Sequence, residues 1–125
     1  MFNNVLLKGN ITRELELSYT TGNEPKAVLK FTVAFSEKYE KEGKPVEKSN
    51  FIPVTVWGKL AESCAKNLIK GQEIIVEGRL AYDHWEDENG SGHSRVYVVS
   101  NSVYFGRKPK EKQGENQQPP DDSAQ

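Results

Sequence analysis

The chain is 125 residues long, 35% hydrophobic, with a net charge of −1, two histidines and one cysteine. That length suits one domain with its own core, and the cysteine and histidine counts exclude an internal disulfide and a structural zinc site in a monomer. Seventeen basic residues against eighteen acidic ones argue against a protein that holds duplex DNA by bulk charge, whereas stacking on aromatic rings needs only a local basic groove.

In chain order, the apolar run Val5-Leu6-Leu7, followed by Gly9-Asn10-Ile11, reads as a first strand bent at Gly9, extended after a kink by Arg13 to Tyr19. Thr20 to Pro25 is a dense turn signal. From Val28 to Phe35 the pattern alternates, with Leu29, Phe31, Val33 and Phe35 on one face, the mark of a half-buried strand. The charged stretch Tyr39 to Lys48, centred on Gly43, is expected to be a long mobile hairpin loop. Phe51 to Trp57 alternates again: Ile52, Val54 and Val56 point to a core, and Phe51, Pro53, Thr55 and Trp57 lie opposite. Pro53 lacks an amide donor and belongs at an edge or bulge.

The period then changes. Leu60, Cys64 and Leu68, with Ala61, Ala65 and Ile69 beside them, form an apolar stripe that predicts a helix over Lys59 to Lys70, stopped by Gly71. Gln72 to Ala81 reads as a strand, Asp87 to Gly92 as a hairpin tip, and Val96 to Phe105 as the closing strand. Five strands with one helix between the third and fourth match an all-β, five-stranded OB-fold barrel; another small barrel or sandwich is the alternative. Residues 1–107 are expected to form this domain. The stretch from Lys108 to Gln125 has no large apolar side chain and reads as a disordered polar, acidic tail. With no leader or bilayer-spanning stretch in the sequence, the chain is expected in the cytoplasm.

Four aromatics stand where a sheet would offer them to a ligand: Tyr39 at the first hairpin, Phe51 and Trp57 on one strand face, and Trp85 between Asp83-His84 and Glu86-Asp87. Unpaired bases stack on such rings, although Phe51 and Trp57 would serve equally to cover a helix or a second subunit. The cations Lys8, Arg13, Lys30, Lys59, Lys66, Lys70, Arg79 and Arg95 are spread along the chain. They suggest a groove only jointly with the rings. Glu40 and Glu42, and Glu86 and Glu88, are carboxylate pairs on polar hairpins, suited to solvation rather than acid–base work. Cys64 lies on an apolar stripe, and His84 and His93 have no third ligand nearby in sequence. No catalytic apparatus, cofactor loop or metal set is expected.

Taken in order, NNVLLKGNI, LELSYTTG, AVLKFTVAFSEKY, FIPVTVWGKLAE, LIKGQEIIVEGRL, DHWEDENG and RVYVVSNSVYF resemble the bacterial single-stranded DNA-binding protein family. The resemblance implies an OB-fold homotetramer that wraps single-stranded DNA during replication, recombination and repair in the bacterial nucleoid. It implies stacking at Tyr39, Phe51, Trp57 and Trp85 and phosphate contacts at Lys59 and Lys70. Ser18, Pro53, Asp83 and His84 stand where family members often carry Arg or Lys, so fewer phosphate contacts are expected. Ile52 stands near the family's subunit interface at a position that can be histidine, so association insensitive to mild acid is expected. Pro119-Pro120-Asp121-Asp122 keeps the family's acidic, proline-containing tail but is followed by Ser123-Ala124-Gln125 and not an apolar anchor, so weak or altered recruitment of replication proteins is expected. A primosomal-type replication adaptor and an RNA-binding OB module are the competing readings.

Overall fold

The computed structural model describes residues 2–109. Its elements are β1 (Val5–Ile11), β2 (Glu16–Tyr19), β3 (Ala27–Lys41), β4 (Lys44–Trp57), α1 (Gly58–Asn67), β5 (Glu73–Glu86) and β6 (Gly92–Phe105). The sheet runs β1-β5-β6-β4-β3-β2, and β1 also pairs with β3, which closes it into a barrel. β1 meets β3 at Ile11–Val33, and β2 resumes along β3 at Glu16–Lys30. The two are one strand interrupted by a bend. Counted so, the barrel has five strands with the helix between the third and fourth, as the OB-fold requires.

Alternation builds the core. Leu29, Phe31 and Val33 from β3 meet Val54 and Val56 from β4, with Ile11, Ile74, Val76 and Val98 from the remaining strands. α1 adds Ala61, Cys64 and, just past its end, Leu68 to the same cluster, while Leu60, Ala65 and Ile52 pack against its margin. Gln72, fully buried, accepts a bond from the Ile69 amide and donates to the Gly106 carbonyl, both at 3.2 Å. A buried amide is tolerated only with such partners, and here it ties the helix exit to the end of β6. Burial pushes the Cys64 thiol up to about 11.

Two expectations need correction. The stretch expected to be a mobile loop is strand: β3 and β4 pair continuously to Lys41–Lys44, leaving a turn of Glu42 (φ 53°) and Gly43 (φ 78°). Two positive φ values mark the tight turn whose twist suits a hairpin. The charges that suggested a loop lie across from one another, Glu37 opposite Lys48 and Lys38 opposite Glu47, an arrangement that favours pairing in an exposed ribbon. The helix is also shorter than its stripe: it ends at Asn67, because Leu68 turns to an extended conformation (φ −99°, ψ 148°) and enters the core. Ile69 is left exposed, and Gly71 serves the following turn by donating its amide to the Ile11 carbonyl at 2.6 Å. Pro53 fits its constraint, since it lies one residue ahead of the Val54–Val98 pairing with β6.

The second hairpin turns over Asp87–Ser91, close to where the sequence places its tip. At the register shift between Glu77 and Gly78, the chain passes so close to β6 that a side chain at Gly78 would collide with the Val99 carbonyl. No helix among the described residues is long and apolar enough to cross a membrane. The tail residues Pro119 to Gln125 lie outside the described residues.

Candidate nucleic-acid interface

The outward residues of four strands share one surface. On β4 these are Phe51, Pro53, Thr55 and Trp57, with Ala34, Thr32 and Lys30 of β3 opposite the first three. Thr55 pairs in parallel with Val99 of β6, so the same face continues through Tyr97, Arg95 and His93, and across to Ala81, Asp83 and Trp85 of β5. Phe51 is 57% exposed, and Trp57 and Trp85 are each 46% exposed. Large apolar rings held half open on one sheet make a surface patch of the kind that marks a binding site.

Between the rings lies an open depression of about 210 Å³, floored by Pro53, Thr55 and Thr32 and bordered by Arg13, Lys30 and Arg95. Glu14 and Glu16 also border it, which tempers its positive potential. Arg95 is the pivot: its guanidinium lies 4.6 Å over the Tyr97 ring and 4.0 Å from the Asp83 carboxylate. Its Nε is buried without a hydrogen-bond partner. Burial, and the Asp83 carboxylate beside it, push the Tyr97 phenol up, with Arg95 and Arg79 opposing. A groove with cations at its rim and flat rings at both ends suits a strand whose bases are splayed from its phosphates.

The structure sorts the sequence candidates. Phe51, Trp57, Trp85, Arg13, Lys30 and Arg95 converge on this surface, and Arg79 stands near Tyr97. The other cations stand off the groove. Lys8 pairs with Glu73 at 3.7 Å beside a separate depression. Lys66 borders a third depression with Leu17, Tyr19 and Glu62, where donation to Glu62 at 2.8 Å pushes the Tyr19 phenol up. Lys59 is in the first turn of α1, and Lys70 is exposed beyond its end. Tyr39 is exposed too, but its register opposite Val46 puts it on the pleat of Phe35 and Val33, the reverse of Phe51 and Trp57. Tyr97 was missed by sequence reasoning because it reads as one more residue of a closing strand; only its pairing with Ala81 beside Arg95 reveals it. Among the described residues no group of His, Cys, Asp and Glu is placed to hold a metal.

Comparison with known proteins agrees with this geometry. The model of the single-strand binding protein family matches residues 2–106. The single-stranded DNA-binding protein of Treponema pallidum is 36% identical over 101 residues, which are 81% of this chain and 56% of that protein. The Aquifex aeolicus protein of the same name is 34% identical over 111 residues, 88% of this chain and 74% of that one. The chain thus spans little more than half of the first relative. A Plasmodium falciparum SSB solved in complex with ssDNA superposes with a TM-score of 0.76 at 20% identity, covering 84% of this chain and 95% of that one, and shares the fold. A deletion mutant of the single-stranded DNA binding protein from Thermus aquaticus gives a TM-score of 0.72 at 32% identity, covering 83% of this chain and 50% of that one.

Proposed function

The chain belongs to the single-strand binding protein family, and on that premise we propose that it binds single-stranded DNA with little regard for sequence and shields it during replication, recombination and repair. The observation that carries this reading is the continuous face on which exposed Phe51, Trp57 and Trp85 flank the groove of Arg13, Lys30 and Arg95. Rings accept bases of any identity because every base has a π-face, and the cations neutralise phosphates between stacking points. The protein acts by binding and not by catalysis. Tyr39, on the outer hairpin, is an outlying platform for a strand that wraps past the groove.

The binding domain is residues 1–107, and its working form is a homotetramer in the bacterial cytoplasm. Self-association is supported by the edge of β1 over residues 5–9, where, among the described residues, β5 alone pairs with it. Leu6 and Tyr104, exposed on the outer face of β1, β5 and β6, also support it. An open edge beside exposed apolar residues is the kind of surface that second copies cover.

Titration of tryptophan emission with oligothymidylate tests the function. Quenching that saturates at a defined nucleotide count, with duplex DNA inert and RNA of equal length weaker, is the expected result. An absence of quenching would place Trp57 and Trp85 at a protein interface and favour the adaptor reading. Stronger binding of RNA would favour a site that reads the 2′-hydroxyl.

A further inference from the structure

Trp85 meets only part of its surroundings as an open ring. His93 stands directly opposite it across the hairpin, and the two rings stack with centroids 5.7 Å apart and planes 20° from parallel. The imidazole is itself anchored, since Nε2 lies 2.8 Å from Oδ2 of Asp87. Asp87 in turn builds the hairpin tip: its Oδ1 accepts from the Asn89 and Ser91 amides, both at 2.9 Å, and its own amide donates to the Ser91 carbonyl at 3.0 Å. The turn therefore fixes the aspartate, the aspartate fixes the imidazole, and the imidazole covers one face of the indole.

We propose that His93, held by Asp87, is a positioning residue for nucleic-acid binding: it closes one face of Trp85 and orients the ring so that a base stacks on the opposite face only. This inference rests on the function proposed above. Donation from His93 is the largest of the effects that hold the Asp87 carboxyl below the usual range. The other charged groups facing His93 are Arg95, next along the same face of β6, and Asp83, opposite Arg95 on β5. They pair with each other and leave Asp87 as the imidazole's own partner. His84 lies on the reverse pleat, opposite Ser94.

The test uses the full chain carrying Trp57→Phe, which leaves Trp85 as the only tryptophan. Three variants are added to it singly: His93→Ala, His93→Phe and His93→Gln. In the free protein, Trp85 emission should shift in His93→Ala and His93→Gln, which leave the indole without a stacked ring, and should shift less in His93→Phe. His93→Ala should weaken binding of oligothymidylate about 2- to 10-fold, the cost of re-immobilising one freed side chain. His93→Phe keeps a flat ring and should restore the affinity, whereas His93→Gln, without a ring, should bind as weakly as His93→Ala. His93→Ala and His93→Gln binding as tightly as the protein with His93, with Trp85 emission unaltered, overturns the inference while the DNA-binding function stands. Failure of the unsubstituted protein to bind overturns both.

Discussion

At the scale of single residues, the aromatic rings divide into those buried in the core and those left open on the sheet. Phe31 is buried in the barrel, whereas Phe51, three positions before the core residue Val54 and on the other pleat, is open. Trp57→Ala should weaken binding to oligothymidylate by about 1–3 kcal/mol, the range known for stacked bases in single-strand binding OB-folds. Far-UV circular dichroism should be unchanged, because the ring is not part of the core. A similar affinity with a lower melting temperature would instead identify Trp57 as packing. Cys64 supplies the opposite case. Its thiol, buried under α1 and pushed up to about 11, carries little thiolate at neutral pH and should resist alkylating reagents until the protein unfolds. Rapid labelling of the native chain would show that the helix opens.

At the scale of elements, the hairpin β5–β6 depends on two local devices. The first is the close approach at Gly78, where a β-carbon would strike the Val99 carbonyl. Gly78→Ala should cost about 1–3 kcal/mol of stability through forced backbone displacement, measured by urea unfolding. The second device is the tip held by Asp87. Its carboxyl is held below the usual range by the bonds it accepts from His93 and the Ser91 and Asn89 amides. A depressed folded value means that the stabilisation is complete above the unfolded aspartate range, near pH 4, and is lost as pH falls through the lower folded value. The tip should therefore loosen only in strong acid, and amide exchange at Asn89 and Ser91 should accelerate there. Asp87→Asn should remove that acid transition.

At the scale of the whole molecule, charge is arranged more sparingly than in a protein that relies on phosphate contacts. The body is near neutral, three cations border the groove with two glutamates beside them, and Arg95 is already engaged by Asp83. With about 0.7 of a counterion released per phosphate neutralised on a single strand, three groove cations give a slope of log affinity against log salt of about −2 per barrel. Lys30→Ala should reduce that slope by about 0.7, whereas Lys8→Ala, off the groove beside Glu73, should leave it unchanged. Equal effects of the two substitutions would mean that the strand crosses β1 as well. Self-association should be insensitive to mild acid as far as Ile52 of β4 is concerned, since its aliphatic side chain cannot titrate, and light scattering between about pH 8 and pH 6 checks this.

The alternation of Val28 to Phe35 and of Phe51 to Trp57, and the four-residue recurrence of Leu60, Cys64 and Leu68, are local patterns. Such a period is set by backbone geometry before any tertiary contact forms, so the strand order, the helix position and the exposed rings on β4 were legible from the chain alone. The Tyr39 to Lys48 ribbon was not, because an exposed strand lacks an apolar face and its stability comes from the charges across from it. The early end of the helix was hidden as well, since it depends on Leu68 finding room in the barrel core. What only the tertiary structure decided is which distant residues share a surface. Closure of the barrel brings Arg13, Lys30 and Arg95 to one groove, turns Tyr39 to the reverse pleat, and sets His93 against Trp85. Those outcomes follow from register between strands, a long-range quantity fixed by the packing of the core as a whole.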